Sequence, residues 1–545
     1  MSDLALGPIL RYVGEHEATV WVETDGPCEV SILDHSARTF EIEGHHYALV
    51  VIRGLEPGAV HPYEVTLDGV RAWPQEGSEF PPSAIRTIAR KRPIEFSFGS
   101  CRVTAPHRPP YTLPKDDDGE GYEIDALYAL AKRMMREDDE RWPHLLLLLG
   151  DQVYADELPP GMPEYIKARR NGTDAPMDQV ADFEEFTQLY HRAWQDPVIR
   201  WLFSTVSTAM IFDDHDVNDD WNISKLWVEM MRQQPWWHER IVGAFMSYWL
   251  YQHIGNLSPD ELADEGRLAA IQGAEDPAGA LRAFAVRADR EAEGTRWSYF
   301  RDFGSTRLIV MDSRAGRVLD DGPRKMVDDE EFAWIEEHAT GEFDHLLLAT
   351  TIPVFLAPGM HHLEAASEAV CEGAWGERAS RAMEQVRRAI DLEHWAAFND
   401  SFERLVGLLR AVAAGERGPA PASIAVLSGD VHHAYLAEVA FPRGAGIESN
   451  VFQATCSPFR NPLGRPERAM MRTLASRPAE AFGRLVARAA GVADPPVRWR
   501  YTAEPTFDNQ VATIDLDGRR ARLRVEKTRP YEEPTLHTSL ERELA

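Results

Sequence analysis

Two rhythms of apolar and polar residues divide the chain. Up to about residue 90, short β-branched and aromatic runs are separated by Gly, Pro and Asp: "ATVWVET", "CEVSIL", "YALVVIRGL" and "PYEVTLDG". Such runs predict strands, and a set this short predicts a small all-β sandwich of immunoglobulin or fibronectin type. "KRP" at 91–93 marks a boundary. Beyond it the strand-like runs are "IEFSFGSC", "HLLLLLGDQVYAD", "STAMIFDDHD", "RLIVMDSR", "HLLLATTIPVF" and "SIAVLSGDVHH". Amphipathic stretches lie between them at 122–138, 180–202, 225–255, 328–340 and 378–413. Strands alternating with helices predict a layered α/β unit. After about residue 496 strand alternation returns with a "LDGRR" turn, expected to complete a sheet edge. The organisation expected is a β-sandwich at 1–92 and an α/β unit at 93–545, without repeats or low-complexity tracts.

Several of the apolar runs end in chemistry. Cys101, Asp151, Asp214 and Asp430 each follow one closely. Ligand sites of α/β sheets lie beyond the carboxyl ends of strands, so segments far apart in sequence are expected to share one cleft. The stretch "IFDDHDVNDDWN" at 211–222 sets Asp213, Asp214, Asp216, Asp219 and Asp220 around His215. Carboxylates crowded in this way repel one another and resist burial unless a cation offsets them. "GDQVYAD" adds Asp151, Tyr154 and Asp156, and "GDVHH" adds Asp430, His432 and His433. Hard oxygens and imidazoles placed just after strands suit divalent or trivalent metals. Two such ions about 3.5–4 Å apart would bind a phosphate, activate a water and stabilise the leaving oxygen.

Composition narrows the setting. A chain of 545 residues, 44% hydrophobic and 10% aromatic, has ample core for two or more units. Its formal net charge of -30 argues against a nucleic-acid platform or an anionic-membrane surface, but not against a local cationic site made by metal. The beginning, "MSDLALGPILRYVGEHEATVW", has no basic or apolar leader pattern, and "LLLLLG" is far too short to span a membrane. Cys28, Cys101, Cys371 and Cys456 are scattered, which is no disulfide framework. A cytoplasmic location is expected. Composition leaves the oligomeric state open.

Taken together, "FSFGSCR", "GDQVYADE", "DDHDVNDDW", "SGDVHH" and "FQATCSPFRN" resemble the alkaline phosphatase D (PhoD)-like branch of the metallophosphoesterases. The resemblance covers nearly the whole chain, sandwich included. It implies a metallophosphoesterase-type layered β-sandwich flanked by helices. It implies a phosphoric ester hydrolase with a dinuclear or multinuclear centre, acting on small-molecule phosphate esters. By the same resemblance Cys101, Asp151, Tyr154, Asp214, Asp430 and His432 are metal ligands, with Asp151 bridging. His215 then sits where a catalytic histidine would. Iron(III) and calcium are the implied ions; without an export signal, magnesium, manganese or zinc are the substitutes. In "DDEEFAWIEEH" the family's Gln before Trp is missing, and no role is carried over there.

Each residue also has an ordinary reading. Cys101 and Cys456 suit core packing, and Tyr154 an amphipathic packing position. Asp151 and Asp430 could serve turns, and Asp216, Asp219 and Asp220 could cap the following helix. His433 reads as structural, and the Trp residues mostly as core or cleft wall. Arg102, Arg314 and Arg460 are candidates to grip phosphate, each with a salt bridge as its alternative. Two other functions stay open. One is a phosphodiesterase or nucleotide pyrophosphatase on the same metals. The other is a catalytically weak, metal-stabilised binding protein.

Overall fold

The structure is a computed structural model describing residues 2–170, 175–291, 294–319 and 323–545. Near the amino terminus, strands Leu4–Val13, Glu17–Thr24, His45–Arg53 and Phe40–Ile42 form one antiparallel sheet, in that order. Strands His35–Arg38, Glu29–Ile32, Val65–Leu67 and Val70–Trp73 form a second. Alternate side chains (Val20, Val22, Val30, Ile32, Val50, Ile52, Val65 and Leu67) meet in a dry core between the two. Period-two patterning does this directly, because every second residue faces inward.

Two larger sheets follow. In the first, parallel strands Ser207–Ile211, Leu145–Leu149 and Ile94–Gly99 are extended antiparallel by Gln510–Asp517, Arg520–Lys527 and His537–Glu543. The carboxyl-terminal alternation thus completes a sheet edge. In the second, Thr306–Val310, His345–Ala349, Ser423–Ser428 and Asn450–Thr455 run parallel, with antiparallel strands at either side. The strand His345–Ala349 shows how the layers stack. Leu347 and Ala349 join the core shared with the first sheet, whereas Leu346 and Leu348 join a separate core under helices Asp329–His338 and Asn399–Ala413. A strand buried on both faces reads as a continuous apolar run, as "HLLLA" and "LLLLL" do. The architecture is an α/β sandwich of two sheets with helices outside, preceded by an all-β region.

Of the predicted helical stretches, 328–340 forms the single helix Asp329–His338 and 122–138 contains Ala126–Met134, whereas the other three are broken. Residues 180–202 form Phe183–Trp194 and Pro197–Thr205, with Asp196 capping the second. Residues 225–255 form Lys225–Arg232 and Trp237–Tyr251, interrupted around Pro235. Residues 378–413 form Glu377–Ala389 and Asn399–Ala413, and between them Asp391 adopts a left-handed φ of 50°. Among the described residues no helix is long and apolar enough to cross a membrane.

Candidate metal centre

The parallel strands of both sheets deliver their carboxyl ends to one edge. Ile94–Gly99 leads to Cys101, Leu145–Leu149 to Asp151 and Tyr154, Ser207–Ile211 to Asp213, Asp214 and His215, and Ser423–Ser428 to Asp430 and His432. The backbone turns sharply here: Cys101, Asp151, Asp430 and His432 have φ of 54°, 48°, 67° and 51°. Left-handed backbone costs a non-glycine residue roughly 1–3 kcal/mol and persists where surrounding structure imposes it. Here two glycines supply the room. A Cβ on Gly150 would stand 2.5 Å from the Cβ of Asp213, and one on Gly429 would stand 2.2 Å from Ser100 Oγ. Cross-links then fix the loops. Arg102 N donates to Asp151 O at 3.1 Å, Arg460 N to Cys101 O at 3.1 Å and Asp430 N to Ser100 Oγ at 2.9 Å.

Four overlapping groups result, each with its donor atoms within 4.8 Å of one another: Cys101, Asp151 and His432; Asp151, Asp214 and His215; Asp213, Asp214 and Asp430; and Asp156, His215 and Asp219. Asp151, Asp214 and His215 each belong to two groups. The Tyr154 hydroxyl lies 3.4 Å from Asp151 Oδ2 and accepts a hydrogen bond from Asn461 Nδ2 at 3.2 Å. All six residues expected as metal ligands are therefore brought together. Asp151 Oδ1 and Asp213 Oδ2 are buried without a hydrogen-bond partner. A thiol, a phenol, an imidazole and several carboxylates form a donor set that multivalent cations fit.

The charge balance supports that fit. Burial, reinforced by neighbouring carboxylates, pushes the Cys101 thiol, the Tyr154 phenol and Asp151 well above their ordinary ranges. A bound cation would reverse that direction. Arg314 lies fully buried beneath the cluster, bonded to Asp213, 3.2 Å from Asp214 and 2.5 Å from Glu393. Burial opposes its charge, but these carboxylates hold its pKa above the usual arginine value. Asp430 would be raised by burial, yet His394 Nε2 at 3.2 Å and Arg314 hold it below the carboxylate range. His394 is in turn fixed by Glu364 through Nδ1 at 2.7 Å.

His215 Nδ1 donates to Asp156 Oδ1 at 2.9 Å, and Nε2 stands 4.0 Å from Asp219 Oδ1. The ring leans on Tyr154, with centroids 4.7 Å apart. Burial favours a neutral ring, but Asp156 outweighs it and raises the His215 pKa well above 6.5.

The capping role expected of the remaining acids gives way to another. Helix Lys225–Arg232 is capped by Ser224, whose side chain accepts from Trp227 N. Asp216 is instead a buried clasp between two motifs, accepting from Gln152 N and Val153 N at 3.2 Å and from Asp213 N at 2.8 Å. The three arginines expected to grip phosphate face inward. Arg102 pairs with buried Asp125, Arg460 donates to the carbonyls of Ala105, Pro106 and Tyr111, and Arg314 is the counter-ion described above. His433 is buried, its Nδ1 2.7 Å from Val431 O, between Tyr435 and Phe507. Glu393, His394, Glu364 and Asn461 had no site role in the sequence reading. Only Asn461 had a signal, lying in "FQATCSPFRN".

Residues 119–268 match the family model of the PhoD-like phosphatases, and residues 1–85 match a domain of unknown function, DUF7800. A solved structure of PhoD superposes with a TM-score of 0.61, covering 100% of this chain and 92% of that one, at 12% sequence identity. That likeness is one of fold. A maltogenic amylase from S. marinus aligns over 96% of this chain and 76% of that one, at 9% identity and a TM-score of 0.15, and carries no argument. No curated protein matches. The phosphatase match spans Asp151, Tyr154, Asp214 and His215; Cys101, Asp430 and His432 join them only through the fold.

Proposed function

We propose that this chain, which carries a PhoD-like phosphatase domain at residues 119–268 on the PhoD fold, is a metal-dependent phosphoric ester hydrolase. The observation that carries the reading is Asp151. It sits at the overlap of two donor groups, with one carboxylate oxygen buried and unpartnered. Cys101, Asp151, Tyr154, Asp214, Asp430 and His432 would hold the ions. When bound, such ions neutralise phosphate oxygens and acidify a water.

The chain's own residues do the rest. Asp156 takes the Nδ1 proton of His215 as a hydrogen bond, leaving Nε2 as the nitrogen that can protonate or orient a leaving alkoxide. Asp156 also stabilises the imidazolium before transfer. His394 orients Asp430, and Arg314 offsets the negative charge beneath Asp213, Asp214 and Glu393. Phosphoryl transfer asks mainly for such positioning and charge stabilisation.

The placement of the arginines favours a diester. Arg102, Arg314 and Arg460 are committed to internal partners, so none clamps the terminal oxygens of a monoester. Exhaustive chelation should abolish hydrolysis of bis-p-nitrophenyl phosphate, and adding metal back should restore it. Turnover that survives complete metal removal would sink the proposal. Bound metal without turnover on mono- or diesters would favour the metal-stabilised binding protein. For the ion itself we carry iron(III) with calcium forward. A Tyr154 phenolate on iron(III) gives a visible charge-transfer band, which Tyr154→Phe should bleach. A colourless, active, iron-free protein would exclude that ion.

A further inference from the structure

Beside the cluster the surface opens into two cavities of about 610 Å³ each. They adjoin at Gln385 and Arg388 and lie between helices Lys225–Arg232 and Glu377–Ala389. The first begins at Asp156, Asp219 and Asp220. These tie it to the candidate centre: Asp156 holds His215, Asp219 N donates to Asp156, and Asp220 N donates to Asp214 Oδ2 at 3.3 Å. Its lining also includes Glu157 and the larger apolar side chains Trp227, Met230, Met231 and Trp236, the Trp236 ring carrying the Arg240 guanidinium at 5.6 Å. A phosphate with a small alkyl group needs no such volume. Cavities of roughly 300–1,000 Å³ are of the size that holds larger organic ligands, and this one mixes carboxylates with aromatic and thioether side chains.

Arg388 stands at the junction. Its guanidinium lies 3.8 Å from Met230 Sδ and makes no ion pair among the described residues. The neighbouring Arg324 and Arg387 are neutralised by Glu368, and Arg387 also by Glu384. Carboxylates outnumber cationic side chains by 88 to 58 in this chain, so an unpaired guanidinium on a cavity wall is conspicuous.

We propose that this groove is the leaving-group subsite, and that it takes an arm bearing a flat aromatic group followed by an anionic group. The aromatic portion lies against Trp236 and the Met230 thioether, and the anion meets Arg388. This rests on the ester-hydrolase reading, because the subsite is defined by its position beside His215.

The test separates the two. First, binding of 3-hydroxy-2-naphthoate, a flat anionic arm without phosphate, is followed by tryptophan fluorescence in the metal-loaded full chain. Arg388→Gln should weaken it roughly tenfold or more, as losing a charged hydrogen bond does, and Trp236→Leu should weaken it as well. Second, kcat/KM is measured for methyl aryl phosphodiesters whose aryl arm is plain or carboxylated. The carboxylated arm should be preferred, and Arg388→Gln should shrink that preference roughly tenfold. No naphthoate binding, or binding and preference unmoved by Arg388→Gln, overturns the subsite. Naphthoate binding that depends on Arg388 without any ester turnover supports the groove and overturns the hydrolase reading.

Discussion

His215 has two ring nitrogens in different surroundings, and that difference is what a positioned acid requires. Nδ1 is engaged by Asp156; Nε2 is not held at hydrogen-bonding distance by Asp219. His215→Ala should therefore retain metal and lose about 10²–10⁴-fold in turnover, the range typical of a positioned acid or base. The loss should be smaller on nitrophenyl esters, whose leaving groups need little protonation. Unchanged turnover on an alkyl ester would end the assignment, and metal loss equal to that of Asp214→Ala would make His215 a ligand. The candidate ligands were legible in the sequence because each follows an apolar run that becomes a strand. Glu393 and His394 follow no strand. They sit in a break of a stretch that reads as one amphipathic helix, so nothing local marks them. The inward turn of Arg102, Arg314 and Arg460 was equally hidden, since sequence shows a cation but not which carboxylates or carbonyls the fold brings to it.

Among elements, the strand-to-loop turns set the geometry. Strands Ile94–Gly99, Leu145–Leu149 and Ser423–Ser428 stop at a glycine or just short of one, and Cys101, Asp151 and Asp430 bend back in the left-handed region; Ser207–Ile211 instead runs into Phe212 and the acidic loop without a glycine. Gly150, with φ of 96°, combines both constraints, since an added Cβ would collide with Asp213 and the backbone would resist it. Gly150→Ala should lower the thermal midpoint and the metal content together. Overpacking costs typically 1–3 kcal/mol, and an alanine held in the left-handed region adds to that. Retention of both would show that the turn tolerates displacement. Strand identity was readable from apolar runs. Helix continuity was not, because Pro235 and the left-handed Asp391 interrupt patterns whose amphipathic period runs on past them.

Across the whole molecule, the all-β region is fastened to the α/β region by buried charge. Glu23, fully buried, accepts from His45 Nδ1 at 2.9 Å, His191 Nε2 at 2.8 Å and the Tyr251 hydroxyl at 2.8 Å; His45 Nε2 reaches Glu184 at 2.8 Å. Burial alone would lower the His45 pKa, but the bonds to Glu184 and Glu23 raise it to about 9. The folded protein therefore holds this proton more tightly than the unfolded chain, whose histidine titrates near 6.5. The resulting stability is complete below about pH 6.5 and is lost as pH rises through about 9. The gap in thermal midpoint between the native chain and His45→Gln should follow that course, widest at pH 6 and closing by pH 10. A gap that is flat or widens with pH would contradict it. Sequence patterning announced a β-rich segment and an α/β segment, but no local pattern reports that Glu23 and His191 meet. As proposed, acids from several strand ends would share multivalent ions at Asp151. The most direct measurement is metal content by mass spectrometry, with turnover, for the native chain and Asp151→Asn. Asp151→Asn should lose at least one equivalent of metal and nearly all activity. Full metal occupancy with full turnover in Asp151→Asn would contradict it.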